Sequence, residues 1–227
     1  MPFIKTTRPE DADAAVAAMY ARQQAAWGYV PNYAKVFCHR PEVMARWGQL
    51  LAEIKRPMDR RTFELVTFVA AHDLRNTACT LAHGKALREF FTDEQIVAIA
   101  KGRFEGTLTD AESAMLRFAR QDAADASRVT SGQVQALKGF GYSDAQIFDI
   151  AATAAGRAFF TKVLDALGVE ADSPFLGIEA EFREPLAVGR PIDVRAPLRL
   201  PEPPPQAAAR GAPATTPKPP RPREPPR

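Results

Sequence analysis

The sequence predicts an all-α fold, on three observations. Helix-start signatures recur: a Ser or Thr followed three residues later by Glu or Gln, so that the two side chains satisfy each other's orphan backbone donors. Apolar residues repeat with a period near 3.6, and no segment alternates with period two. Glycines stand just past the apolar stripes, where a helix ends most easily in the left-handed conformation.

Five such start boxes occur, at Thr7/Glu10, Thr92/Gln95, Thr109/Glu112, Thr130/Gln133 and Ser143/Gln146. Pro41 suits the first position of another helix, and Val43, Met44, Trp47, Leu50, Leu51 and Ile54 behind it form one stripe. Phe63 to Ala71 is apolar nearly all round and reads as a buried helix. Stops are expected at Gly102, Gly139 and Gly168. Eight helices result, at roughly 8–26, 41–56, 59–74, 77–90, 93–101, 110–123, 131–138 and 144–167. The last is rich in small residues (Ala151, Ala152, Ala154, Ala155, Gly156, Ala158), which suits close packing within the chain or against another subunit.

Composition divides the chain in two. Thirteen of its 20 prolines fall in residues 190–227. Proline fixes φ and lacks a donor, so this stretch cannot form regular helix or ladder. The expected division is a helical domain over 1–185 and a disordered, Pro-rich basic tail over 186–227. That tail is either a solvated extension or a docking segment for a partner that reads polyproline or offers an acidic surface. Residues 190–227 hold 8 Lys or Arg and 3 Asp or Glu. The remaining 22 basic and 24 acidic residues leave 1–189 at −2, although the whole chain is +3. The body therefore gives no case for nucleic-acid binding. Two cysteines make no disulfide scaffold. The opening residues lack an apolar signal region, and no apolar run reaches the ~20 residues of a membrane span. A soluble, cytoplasmic protein is expected.

The chemistry concentrates at Cys79 and His83, four residues apart, with Glu64 upstream. On a helix this spacing makes thiol and imidazole neighbours, and a thiol beside a base is the minimum kit for cysteine chemistry. Asn76 suits the N-cap, which puts Cys79 in the first helical turn. Lowering a thiol from ~8.5 to about 6.5 takes ~2.7 kcal/mol, and a helix terminus supplies only ~0.3–1 kcal/mol. His83, as an imidazolium paired with a thiolate, is therefore expected to supply most of it. Glu64 would bond the other imidazole nitrogen and fix the tautomer. A free cysteine is, equally, often just a small buried hydrophobe.

The stretch from Glu64 through His72 to Asn76-Thr77-Ala78-Cys79-Thr80-Leu81-Ala82-His83 resembles the signature of the carboxymuconolactone decarboxylase/alkylhydroperoxidase D-like family. Gly28-Tyr29-Val30-Pro31-Asn32 with His39-Arg40-Pro41-Glu42, then Phe91 to Gln95, Leu108 to Glu112 and Leu164 to Glu170, are similar to that family's peroxidase-related branch. The resemblance covers roughly residues 20–172. It implies an all-helical bundle, a homo-oligomer (trimer or hexamer) and, in redox members, reduction of hydroperoxides through cysteine; no cofactor or metal is expected. It matches Glu64 to a relay glutamate, Cys79 to the second cysteine of a Cys-x-x-Cys pair and His83 to the histidine that activates it. Asn76 stands at the first cysteine, and an amide cannot close a disulfide. An external thiol could then resolve an oxidised Cys79, or Cys38 could, or the protein has left redox chemistry.

Other residues carry weaker signals. His72 lies near the Glu64 face and reads as a pocket-lining base or a helix-end polar residue. Glu64, His72, Cys79 and His83 match no strong metal motif. Trp27, Tyr29 and Tyr33 either line a substrate pocket or pack an irregular connection. Arg157 and Lys162 read as surface, salt-bridged or contacting an anion. The leading expectation is a cysteine-dependent peroxidase, acting on a hydroperoxide with an external thiol reductant. Its rival is a non-redox lyase or hydrolase in which His83 and Glu64 do acid–base work on a small carboxylate or lactone. A non-enzymatic helical oligomer whose tail recruits a partner is the third.

Overall fold

The computed structural model describes residues 2–201. Ten α-helices follow in order: α1 Ala14–Trp27, α2 Asn32–Val36, α3 Pro41–Lys55, α4 Arg60–Asp73, α5 Thr77–Leu87, α6 Asp93–Ala100, α7 Asp110–Asp125, α8 Ser131–Gly139, α9 Asp144–Ala166 and α10 Ala180–Leu186. Among the described residues β structure is limited to two isolated bridges, Val30 with Leu198 and Ala171 with Ile192.

Four of the five boxes form as expected and open α6, α7, α8 and α9. The fifth does not. Thr7 is drawn into tertiary contacts instead, its carbonyl accepting from Tyr20 Oη at 2.8 Å and its N–H facing Cys38 Sγ at 3.2 Å. Residues Pro9–Asp11 make only a 3₁₀ turn, and α1 starts from Asp13, whose carboxylate caps Val16 N–H. Gly102 and Gly168 adopt positive φ as expected, but α8 runs through Gly139 and the left-handed residue is Gly141. The short α2 and α10 are additional to the expected eight, and neither is long enough to display a periodic stripe.

Helix α4 is the axis of the bundle. Every residue from Phe63 to Ala71 is buried, because α5, α7 and α9 surround it. One core lies around α4, α6, α7, α8 and the first half of α9, with Phe68, Leu116, Met115 and Ile99 at its centre. A second gathers α1, α2, α3 and the end of α9 around Tyr20, Met19 and Phe160, and it includes Cys79. Cys79 therefore sits on the side of α5 that faces the second core.

Residues 187–201 correct the expected start of the tail. They form a strap laid along the body. Gly189 N–H donates to Thr77 Oγ1 at 2.9 Å, Arg190 donates to the Asp165 carbonyl, and Leu198 and Leu200 pack on the second core. Gly189 is required there: a Cβ would overlap the Arg75 carbonyl oxygen. Composition is a poor guide here because one chain crossing over needs only scattered anchors, not a regular pattern. The rest of the expected tail, 202–227, lies outside the described residues.

Candidate active site

The short Leu74-Arg75-Asn76 link folds α5 back against α4, with Arg75 at φ 57° making the reversal. That brings Glu64 from α4 onto His83 from α5, Nδ1 to Oε2 at 2.6 Å. Glu64 is 6% exposed. Burial pushes its carboxyl up, but the bond and charge of His83, aided by Lys55 and Arg60, outweigh this and hold it below the usual range. Burial also lowers His83, reinforced by the nearby Arg157 cation and opposed by Glu64. The pair is thus a carboxylate and a neutral imidazole. A carboxylate only accepts, so Nδ1 carries the proton and Nε2 keeps the lone pair.

Asn76 caps α5, as expected, with Oδ1 accepting from Cys79 N–H at 2.9 Å. Its Nδ2 donates to Asp165 Oδ1 at 3.0 Å, and its carbonyl accepts from Thr80 Oγ1. Both ends of the amide are therefore committed to the fold rather than to the sulfur. Burial raises Asp165, while the bond from Asn76 and the charge of Arg190 act to lower it.

The surroundings of Cys79 differ from the expectation. Its thiol is 6% exposed, and burial pushes it up. The cation that offsets this is Arg157, whose Nη1 lies 3.6 Å from Sγ. His83, being neutral, does not supply the charge. Arg157 is no surface residue: it is 4% exposed and lies 5.8 and 5.7 Å from the ring centres of Trp47 and Phe160. Helical spacing already contained the signal. Ile150, Ala154, Arg157, Thr161 and Leu164 follow steps of four and three along α9, and all five are buried. An arginine inside a core stripe is a functional candidate, since buried charges need a partner.

Cys79, His83, Glu64, Asn76 and Arg157 all border one cavity of about 360 Å³. Trp27, Tyr29 and Tyr33 line it too, so the connection before α2 does serve the pocket. Trp47 and Phe160 stack at 4.3 Å and 12°, and Tyr33 meets Phe160 edge-on at 5.3 Å. His72 is not among the lining residues; it ends α4 beside Asp73, Nδ1 to Oδ1 at 3.4 Å. Cys38 is buried against Thr7 and does not line the cavity either, whereas Lys162 is exposed. Among the described residues no group of three His, Cys, Asp or Glu is placed to hold a metal, and no helix is long and apolar enough to cross a membrane.

The fold is that of the alkylhydroperoxidase D-like helical proteins. An uncharacterized peroxidase-related protein with the alkylhydroperoxidase AhpD core, from Ralstonia eutropha JMP134, superposes with a TM-score of 0.66 at 18% identity, covering 77% of this chain and 94% of that one. A peroxidase-related protein from Silicibacter sp. TM1040 gives 0.66 at 16%, covering 78% and 94%. The debrominase Bmp8, as a Cys-to-Ala variant in complex with 2,3,4-tribromopyrrole, gives 0.62 at 17%, covering 81% and 95%. No family model matches the sequence, and no curated protein matches it.

Proposed function

We propose that this chain is a cysteine-dependent peroxidase of the one-cysteine type, reducing an organic hydroperoxide at the expense of an external thiol. The observation that carries it is one cavity bordered by Cys79, a hydrogen-bonded Glu64–His83 pair and a buried cation on the sulfur. Because the fold is shared with a debrominase, the fold does not select peroxide; the reading rests on these side chains.

In this scheme Arg157 stabilises the thiolate, and His83 Nε2 takes the thiol proton. The thiolate attacks one peroxide oxygen, the O–O bond breaks, and His83 returns the proton to the departing alkoxide. The products are an alcohol and a sulfenic acid on Cys79. One external thiol condenses with the sulfenic acid, releasing water and forming a mixed disulfide. A second thiol attacks that disulfide and restores Cys79. Glu64 holds the imidazole in the tautomer that can accept a proton. No neighbouring cysteine is needed, in keeping with Asn76 being bound up in the cap.

A homo-oligomer and a cytoplasmic location belong to the same proposal. Helix α3 buries only Met44 of its 15 residues, and Val43, Leu50, Phe148 and Phe159 are exposed on α3 and α9. That apolar face suits a second copy. A sulfenic acid reduced by external thiols needs a reducing compartment.

The test is thiol counting on the reduced Cys38→Ser protein mixed with cumene hydroperoxide. Stoichiometric loss of the Cys79 thiol, reversed by a small thiol, is expected; retention of the thiol would end the peroxidase reading. The lyase or hydrolase alternative has one observation in its favour: the Glu64–His83 bond is formed while the sulfur contacts Arg157 instead. On that reading Cys79→Ser keeps activity on a lactone or small carboxylate and His83→Ala loses it.

A further inference from the structure

The Arg157 guanidinium is too poorly partnered for a group so deeply buried. Among the described residues its side chain makes one hydrogen bond, the long contact to Cys79, and no ion pair, and its Nε is buried with no acceptor. Arginine stays charged in proteins. A buried cation without a counter-charge is strongly unfavourable, and an unmet donor adds its own desolvation cost. The nearby carboxylates have other partners: Glu64 accepts from His83 and Asp165 from Asn76, and of the two others in the cavity wall Glu170 pairs with Arg195 and Asp172 accepts from Asn32 N–H. The walls around the guanidinium are flat and aromatic, with Trp47 and Phe160 stacked beside it and Tyr33 edge-on.

A planar fork of donors matches the two oxygens of a carboxylate, and a ring attached to that carboxylate would lie against aromatic walls. We propose that this cavity binds a planar aromatic monocarboxylate through Arg157, and that this anion and the Cys79 thiolate compete for the same guanidinium. The proposal rests on the reading of this cavity as the reactive site and adds a ligand class to it. One cation balances one anion. A bound carboxylate therefore favours the protonated thiol, and by linkage the thiolate weakens the carboxylate by the same factor. The charged and titratable groups facing Cys79 are His83 on its own helix, Arg157 and Asp165 from α9, Tyr33 from α2, through His83, Glu64 from α4 and, in the wall of the shared cavity, Glu170 and Asp172 from the segment after α9. Of these, Arg157 alone is a permanent cation.

The experiment titrates benzoate, and benzamide as its uncharged counterpart, into the reduced full-length protein. Quenching of Trp27 and Trp47, both in the cavity wall, reports occupancy. Benzoate is expected to bind at least about tenfold tighter than benzamide, and the wild-type preference needs no variant to measure. Arg157→Gln should bring the two within about twofold, and Arg157→Lys should restore part of the gap. Burial holds the thiol above its ordinary range, so between about pH 8 and 11, clear of the Asp172 carboxyl at about 6, benzoate affinity should fall as pH rises in the wild type and fall much less in Cys79→Ala. Equal affinity for the two probes would overturn carboxylate recognition; a wild-type pH profile that is flat, or unchanged in Cys79→Ala, would overturn the competition. Peroxide consumption of the Cys79 thiol is a separate readout, so an inert thiol with intact benzoate selectivity would sink the peroxidase reading alone.

Discussion

Replacing Asn76 by cysteine separates what that residue does for the fold from what it withholds from the chemistry. The amide makes two side-chain bonds: it caps Cys79 N–H and it donates to Asp165. Losing an N-cap costs ~0.5–2 kcal/mol, typically ~1. Removing the donor from a half-buried carboxylate costs about 1 kcal/mol more, near the low end for unmet buried groups because solvent partly replaces it. Asn76→Cys should thus destabilise the reduced protein by about 2–3 kcal/mol. For a chain of this size that is a fall in melting temperature of roughly 4–12 °C. Calorimetry under reducing conditions measures it. The same variant gains a second thiol three residues before Cys79, so peroxide should now close a disulfide and a dithiol reductant should sustain turnover. A reduced variant as stable as wild type would refute the account of Asn76 as a double anchor. A destabilised variant that consumes peroxide but forms no disulfide would show that the capped turn holds the two positions too far apart.

Four shorter predictions follow from the same site and its surroundings. Arg157→Gln should move the pH midpoint for alkylation of Cys79 upward, since the cation that offsets burial is gone, and Arg157→Lys should move it less; an unshifted midpoint in both would remove Arg157 from the thiolate's surroundings. Glu64→Gln should lower peroxide turnover by about tenfold or more, because the neutral amide no longer fixes the His83 tautomer or strengthens it as a base, as steady-state rates would reveal. Burial pushes the Asp172 carboxyl up to about 6. Against ~3.9 in the unfolded chain the folded state holds its proton more tightly, so stability falls as pH rises from about 4 to 6, by ~3 kcal/mol, and levels off above. In urea melts Asp172→Asn should flatten that slope. Gly189→Ala should detach the strap, because its Cβ overlaps the Arg75 carbonyl. Limited proteolysis should then cut within 187–200, and resistance equal to wild type would contradict the clash.

The parts of the fold that were legible in the sequence are those governed by local rules. Capping boxes at Thr92, Thr109, Thr130 and Ser143 are satisfied within one turn, so they read correctly from residue types alone. Thr7 has the same residue pattern, but distant Tyr20 and Cys38 outbid its neighbour. At the site, the Glu64–His83 pair was legible because a short link forces α5 back along α4. The partner of the sulfur was not: spacing on α5 points to His83, while the cation comes from α9, 78 residues away. Reading Arg157 as surface ignored its place in a buried stripe, a local clue to a long-range contact. The strap was hidden for a different reason, since proline-rich composition excludes regular structure but not attachment.

Trp47 has two faces with different neighbours. One borders the cavity that Cys79 lines, stacked on Phe160; the other borders an outer groove formed with Glu42, Val43, Arg46, Leu50, Gly156 and Phe159. Its indole N–H reaches the Gly156 carbonyl at 3.4 Å, one residue before Arg157. A single indole is thus common to the wall of the cavity and the wall of the outer groove. A change in the outer groove that displaces this ring also displaces the wall beside the guanidinium. Substitutions that never touch the cavity are thereby expected to change its shape.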